Sequence, residues 1–518
     1  MWTRIGRALA ARRERVALGL IVVASLIFRL YVSSQCSLWL DEACTLRDID
    51  KPWTKLLGGP SHAHMPLMYL LVKGATSVLG TSDTALRAVS LFFGCVLLVA
   101  TYELCLELGV AARRSLLIVG ALALSPFFIR HATEARHYAL LSACIVLATT
   151  RALRLLRAPL RSSTVVGFIA SILAAASTHY FGLPYALALV ACVMLGLAPS
   201  WRRAAADRRA ALAGMAAALV VPLAFVTVRA LALGRSYDVG AIDDDSGPGL
   251  STGLLRELLG EFSFITDSTW APYVQSALAV AGLLWLTWRL RGAARLLPLG
   301  LGLLPCVGAL FLSASHFLAP RYLAPSAIFY HVGAAVALFA ALDAARGVLT
   351  KASRPAWLLP LLSGVALGGL VLARLSEYPN GFGAGLDNYR GLQRYFLRHL
   401  AKDTALVAYS GKFGDILMSK AYSVGRRPIY LEKFRPVRGI RRYLVVEIHC
   451  DGEPCQNELA SLVQERLGVA ATAFQALPRV PLPRSVFQRA VPARLVEIPE
   501  GWKPPPRKRR HHRKRVKG

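Results

Sequence analysis

Asp41 and Glu42 form an acidic pair within Ser37-Leu38-Trp39-Leu40-Asp41-Glu42-Ala43-Cys44, directly after the first long apolar run of the chain. A carboxylate in that place can accept a proton from an attacking hydroxyl or amine. The same pair can instead cap the helix that follows it, and spacing alone does not separate the two roles. Chemically capable side chains then recur at intervals: His62, His64 and Tyr69; Glu134, Arg136, His137 and Tyr138; His179 and Tyr180; His316, Arg321 and Tyr322. Arg136 and Arg321 suit a phosphate, because guanidinium stays charged and matches phosphate geometry. The histidines offer proton donors or metal ligands. A single histidine such as His179 reads more readily as ordinary loop polarity. The set reads as a site because Glu134 and Arg136 share a very short turn, where solvation is limited. Asp243 to Asp245, followed by Ser-Gly-Pro-Gly, reads as a solvated acidic loop.

The elements that must position these groups are membrane helices. The 518 residues are 55% hydrophobic with mean hydropathy +0.46, and the apolar residues fall in runs of roughly 17–25, the length that crosses a bilayer. The fold class expected is a polytopic α-helical membrane protein of about eleven transmembrane helices. Arg12, Arg13 and Arg15 precede a first run, Val16 to Val32, that is long enough to remain as an anchor rather than a cleaved leader.

Loop charges alternate. Arg113 and Arg114, Arg154 and Arg157, Arg202 and Arg203, Arg289 and Arg291, and Arg346 and Lys351 follow alternate spans, which marks one face as cytoplasmic together with the N-terminus. All the candidate site residues then fall on the outer face, as a site built between helix ends requires. Met65 to Leu79 is short and contains Lys73 and Gly74, so it reads as a helix in the outer interface. The formal net charge of +31 is accounted for by these orientation signals, which argues against nucleic acid as a partner.

Beyond the spans the composition changes. The expected division is a transmembrane domain over 1–375, an extracytoplasmic α/β domain over 376–500 and a basic tail over 501–518. In the second, 389–400 and 457–467 read as helices, and 404–409, 427–431 and 442–448 as strands. The nine cysteines contain no CxxC or metal spacing; Cys450 and Cys455 flank a turn and read equally as a pair or as thiols. The tail reads as a solvated terminus, with attraction to anionic lipid headgroups as the next choice.

Several short motifs together resemble the GT-C fold membrane glycosyltransferases of the dolichyl-phosphate-mannose protein mannosyltransferase superfamily. Trp39-Leu40-Asp41-Glu42-Ala43 is similar to their first-loop acidic signature, and His64-Met65-Pro66-Leu67-Met68-Tyr69-Leu70-Leu71 to their His-Pro-Pro-Leu-Tyr-Tyr segment, with Met65 in place of the first proline. Ala85-Leu86-Arg87 resembles the opening of their second span. Thr133-Glu134-Ala135-Arg136-His137-Tyr138-Ala139-Leu140 resembles the Gln-Glu-Ala-Arg-Pro-Tyr-Ala-Leu pattern of bacterial members, departing at Thr133 and His137. Thr178-His179-Tyr180-Phe181 and Pro320-Arg321-Tyr322-Leu323 recur there too.

The resemblance implies GT-C architecture in a cytoplasmic (inner) membrane enzyme. Such an enzyme performs inverting transfer of a sugar from a polyprenyl-phosphate donor to a lipid, glycan or protein acceptor at the outer face. It implies Asp41 as general base, with Glu42 and Glu134 orienting the acceptor or binding a metal. His64, Arg136 and Arg321 would hold the lipid phosphate, and Tyr69, Tyr138, His179, Tyr180 and Tyr322 would line the substrate. Metal dependence varies in the superfamily, so a divalent metal ion stays open, its candidate ligands being Glu42, Glu134 and His64. A transporter or flippase of lipid-linked sugars is the alternative, but transporters place their sites near the bilayer midplane, whereas these ionisable groups gather at one face.

Overall fold

The computed structural model describes residues 2–57, 65–157, 161–201, scattered helical positions between 209 and 228, 252–263, 270–312, 319–351, 404–410, 429–430, 442–448, 453–477 and 493–497. The expected helices at 389–400 and spans at 356–374, His62, His64, His316, the Asp243–Asp245 loop and the Cys450 side of the cysteine pair lie outside these residues. The chain divides into two compact units, one of residues 1–34 and 48–382, the other of residues 35–47 and 383–518.

The first unit is helical. Its helices are α1 (Trp2–Gln35), α2 (Leu40–Ile49, which the boundary between the units crosses), α3 (Trp53–Leu57), α4 (Leu67–Leu79), α5 (Asp83–Leu86), α6 (Ala88–Glu107), α7 (Ala112–Leu124), α8 (Pro126–Ala132), α9 (Tyr138–Arg157), α10 (Ser162–Thr178), α11 (Gly182–Trp201), α12 (Thr252–Phe262), α13 (Ala271–Arg289), α14 (Leu296–Gly302), α15 (Leu304–Leu312) and α16 (Ala324–Lys351). Among the described residues four helices are long and apolar enough to cross a membrane, and six spans result if each of two bent pairs counts as one. This is a polytopic, membrane-type helical protein. At 13 residues α4 is about 20 Å long, short of the bilayer core. Lys73 on α4 donates to the carbonyls of Ile49 (2.6 Å) and Lys51 (2.8 Å), so its charge closes the C-terminal end of α2.

The run at 113–130, read from sequence as one span, is two helices. Ser125 is extended (φ −70°, ψ 125°), Pro126 starts α8, and the axis turns by 65°. Proline supplies no N–H to the preceding turn and forces the residue before it out of the helical region, so the bend is written locally. The run at 296–313 bends likewise, by 42°, between α14 and α15.

Ion pairs gather at the end of the helices away from the Glu134 turn. Arg154, in the last turn of α9, meets Glu103 (3.1 Å) and Glu107 (2.7 Å) of α6, and Arg114 at the start of α7 grips Asp343 of α16 through two bonds of 2.8 and 2.5 Å. These pairs are half-exposed and contribute little each. Their effect is to bring the charged helix ends to one side. Packing between α13 and α16 is closer than side chains permit: a Cβ on Gly282 would lie 1.8 Å from the Gly333 carbonyl oxygen, and one on Gly333 2.6 Å from that of Ala279. Small residues let two membrane helices approach backbone to backbone, where dispersion contacts replace the hydrophobic drive that lipid does not supply.

In the second unit, β1 (Thr404–Ser410), β2 (Ile429–Tyr430), β3 (Arg442–Ile448) and β4 (Ala493–Glu497) form one sheet in the order β2-β1-β3-β4, with the first three parallel and β4 antiparallel. Val407, Tyr443, Val445 and Val496 pack against Leu459, Ala460, Val463 and Leu467 of α17 (Glu453–Leu467) and Phe474 of α18 (Ala471–Ala476). Helix α17 starts four residues earlier than its sequence pattern suggested, because Pro454 falls in the first turn, where its missing N–H costs nothing. β4 was not read from the sequence; it is only five residues long, and its core-facing pattern is incomplete.

Candidate functional site

The bend at Pro126 sends α8 toward the start of α9 and leaves a five-residue turn, 133–137, between them. The Thr133 hydroxyl bonds back to the carbonyls of Ile129 and Arg130, both at 3.0 Å, and the Arg136 amide donates to the Glu134 carbonyl at 2.7 Å. From α6, the Ser90 hydroxyl donates to the Arg136 carbonyl at 3.1 Å, tying the turn to the bundle.

The Glu134 carboxylate is engaged on both oxygens. Arg130 Nε donates to Oε1 at 3.0 Å, and His131 Nδ1 lies 3.3 Å from Oε2. Burial alone would push this carboxyl up, but the Arg130 guanidinium and the His131 hydrogen bond prevail and hold it down at about 2. An ionised carboxylate only accepts, so His131 donates through Nδ1; its other nitrogen, buried, has no hydrogen-bond partner among the described residues. Glu134 is therefore a permanent anion rather than a proton carrier.

Two other turns meet this one. His137 stacks on His179, which follows α10, with ring centroids 4.0 Å apart and planes 13° from parallel. His179 lies in turn nearly parallel to Phe181 (5.7 Å, 17°) and to Tyr322 (5.4 Å, 22°). Tyr322 belongs to the 3-10 turn that leads into α16, and Phe181 to the turn that leads into α11. Arg321 sits over the Tyr322 ring at 5.5 Å, and Tyr138 lies 6.4 Å from it. The α10–α11 turn is tight because Gly182 lacks a Cβ, which would lie 2.1 Å from the Ala175 carbonyl; its amide donates to the His179 carbonyl at 2.8 Å.

His179 is a neutral imidazole. Its Nδ1 accepts the Phe181 amide at 3.2 Å, and burial, aided by the charge of Arg136, pushes the ring down to about 3. Between pH 6.5 and about 3 the unfolded chain binds a proton here that the folded one refuses, so stability is complete above pH 6.5 and falls as the pH drops through that window. Glu134 adds a loss of the same sign below pH 4.5, toward about 2. The thermal midpoint of the purified protein should fall between pH 7 and pH 5, and His179→Phe, which keeps the stack, should flatten that part of the profile. An unchanged slope in the variant would remove His179 as its source.

The structure thus brings together Glu134, Arg136, Tyr138, His179, Tyr180, Arg321 and Tyr322 in the first unit. Tyr69 is buried on α4, which packs against α10. Asp41 and Glu42 belong to the second unit, in the first turn of α2. There Glu42 Oε2 accepts the Trp39 amide at 3.2 Å, the backward half of a capping box, while the Thr45 hydroxyl bonds to the Asp41 backbone carbonyl at 3.1 Å. Among the described residues no cluster of three or more His, Cys, Asp or Glu could hold a metal; the Glu134 oxygens already serve Arg130 and His131, and His64 lies outside the described residues.

Sequence reading missed Arg130, His131 and Phe181. Arg130 and His131 stand four and three residues before Glu134, helical spacing that signals a shared face; Phe181 stands two after His179.

Neither a family model nor a curated protein sequence matches the chain. Solved structures do. The chain is similar to ArnT from Cupriavidus metallidurans in the apo state, with TM-score 0.51 and 12% identity over 92% of this chain and 97% of that one. ArnT bound to undecaprenyl phosphate gives TM-score 0.50 and 13% identity over the same shares. The oligosaccharyltransferase of Archaeoglobus fulgidus in its apo form gives TM-score 0.50 and 12% identity over 88% of this chain and 73% of that one. At such identities the likeness is one of fold, and the chain has the GT-C fold that its motifs led one to expect.

Proposed function

We propose that the chain is a glycosyltransferase that takes a sugar from a polyprenyl-phosphate donor and passes it to an acceptor at the outer face of a membrane. The observation that carries this reading is the meeting of Arg136 and Arg321 with the Tyr138, His179 and Tyr322 rings at one end of the helices. Guanidinium groups beside aromatic rings suit a phosphate that joins a sugar to an apolar tail: charge holds the phosphate, and ring faces take apolar C–H surface. The similar ArnT structure was obtained with undecaprenyl phosphate bound, which supports a lipid phosphate as ligand.

In this reading the phosphate rests against Arg321 and Arg136, whose charge stabilises the lipid phosphate as the glycosidic bond breaks. Asp41 takes the proton of the attacking acceptor group, and transfer inverts the anomeric centre. Neutral His179 adds no charge to the wall of the site, so the positive charge that faces the phosphate comes from the arginines.

Reconstitution of the full chain with radiolabelled polyprenyl-phosphate sugars and a cell-envelope fraction tests this. Wild type should transfer label, and Arg321→Ala should lose about 10²-fold or more in kcat/KM through the missing charge–phosphate contact. Equal transfer by both proteins would remove Arg321 from the site; no transfer from any donor would sink the glycosyltransferase reading.

A further inference from the structure

The arginine that neither the motifs nor the sequence spacing had placed in the site is Arg130. It projects from the last turn of α8, and Glu134 takes it through Nε at 3.0 Å, so that bond leaves the two terminal nitrogens of the fork uncommitted to the carboxylate. The Arg130 side chain is 33% exposed, whereas that of Glu134 is 6% exposed and that of His131 3%. The carboxylate thus sits behind the guanidinium, and His131 fixes it from the far side through Oε2. His131, the other partner of Glu134, lies 4.8 Å from the Tyr138 ring, Tyr138 lies 6.4 Å from Tyr322, and Arg321 sits over Tyr322 at 5.5 Å. The Arg130–Glu134 pair therefore adjoins the arginine already assigned to the phosphate.

We propose that Arg130 is a charge-compensated member of this anion site, and that the buried Glu134 carboxylate, pinned by His131, sets how tightly the site grips a lipid phosphate. The proposal rests on the reading that Arg136 and Arg321 receive that phosphate. Arg130 and Glu134 carry no net charge together. A site that kept the Arg130 charge without the carboxylate would bind its anionic ligand more tightly, and would release the lipid phosphate left after transfer more slowly. Glu134 acts through Arg130, which makes it a positioning residue.

The imidazole supports the same view. His131 holds one nitrogen on Glu134 while the other is buried without a hydrogen-bond partner among the described residues, an arrangement that costs stability. It is understandable if the orientation of the carboxylate matters more than the loss. His131 packs edge-on between Phe127 (4.4 Å) and Tyr138 (4.8 Å), which leaves it a single orientation toward Glu134.

Direct binding of undecaprenyl phosphate to the purified full chain in nanodiscs tests the proposal without any need for turnover. Glu134→Gln, which keeps shape and an acceptor oxygen, should bind the lipid on the order of tenfold tighter, and Arg130→Gln on the order of tenfold weaker. The double variant Arg130→Gln/Glu134→Gln restores the local charge and should return to within about twofold of wild type. A purely structural pair would weaken binding in both single variants without recovery in the double. Unchanged or weaker binding by Glu134→Gln, with wild type binding normally, overturns the proposal and leaves the anion site intact. Failure of the wild type to bind overturns the anion site and the proposal with it. Where Glu134→Gln does not fold, the comparison of Arg130→Gln with the double variant decides by the same recovery.

Discussion

Asp41→Asn is expected to lower sugar transfer by about 10²- to 10⁴-fold, the range that loss of a general base gives, with undecaprenyl phosphate bound as in wild type. The expectation starts from how the acidic pair is divided. Glu42 reaches back to the Trp39 amide and closes the first turn of α2, so its carboxylate already has a structural task. Asp41 stands one residue earlier in the same turn, and the Thr45 hydroxyl donates to its backbone carbonyl. Asparagine keeps the size and the acceptor oxygen but cannot take up a proton. Glu42→Ala should act differently, costing about 0.5–2 kcal/mol of stability through the lost cap and a smaller part of the rate. Single-turnover transfer with saturating donor, measured beside the thermal midpoint, separates the two. Equal rates for Asp41→Asn and wild type would remove Asp41 as the base; a larger rate loss in Glu42→Ala than in Asp41→Asn would exchange their roles.

Gly282→Val is expected to destabilise the first unit strongly. The new Cβ would meet the Gly333 carbonyl oxygen at 1.8 Å, and that atom is backbone, so it cannot swing aside. Helices α13 and α16 would have to separate along their length, forfeiting dispersion contacts over the whole interface. Overpacking typically costs 1–3 kcal/mol, and contact with rigid backbone lies at or beyond the upper end, about 3 kcal/mol or more. The site should suffer as well, because α16 begins immediately after Arg321 and Tyr322. Gly300→Ala on α14 is the control, since nothing lies within 4 Å of its added Cβ. Thermal unfolding of both variants in one detergent gives the comparison. A Gly282→Val midpoint equal to that of Gly300→Ala would show that the interface is looser than its geometry indicates.

Much of this molecule is legible in its residue order. Apolar runs of membrane length specify helices, the arginine clusters assign helix ends to opposite sides, and Thr133 to Leu140 announces a polar turn between two of them. The strands at 404–410 and 442–448 show in their β-branched and aromatic content. Pro126 writes its bend locally, although a scan for hydropathy passes straight through it, because a proline among apolar residues hardly lowers the average.

What residue order cannot express is which turns meet. His137 and His179 are 42 positions apart, and His179 and Tyr322 a further 143; only the packing of α9, α10 and α16 makes them one stack. Burial is equally a tertiary property. It turns His179 into a neutral ring, and it would push the Glu134 carboxyl up were Arg130 and His131 not bonded to it. Asp41 and Glu42 share one sequence signature, and Glu42 is the one whose carboxylate, three residues after the cap, reaches back to the Trp39 amide. The sequence by itself determined that the first unit is built of apolar helices and which residue types stand at their ends. The tertiary structure decided which of those ends share one dielectric, and so which charges each group feels.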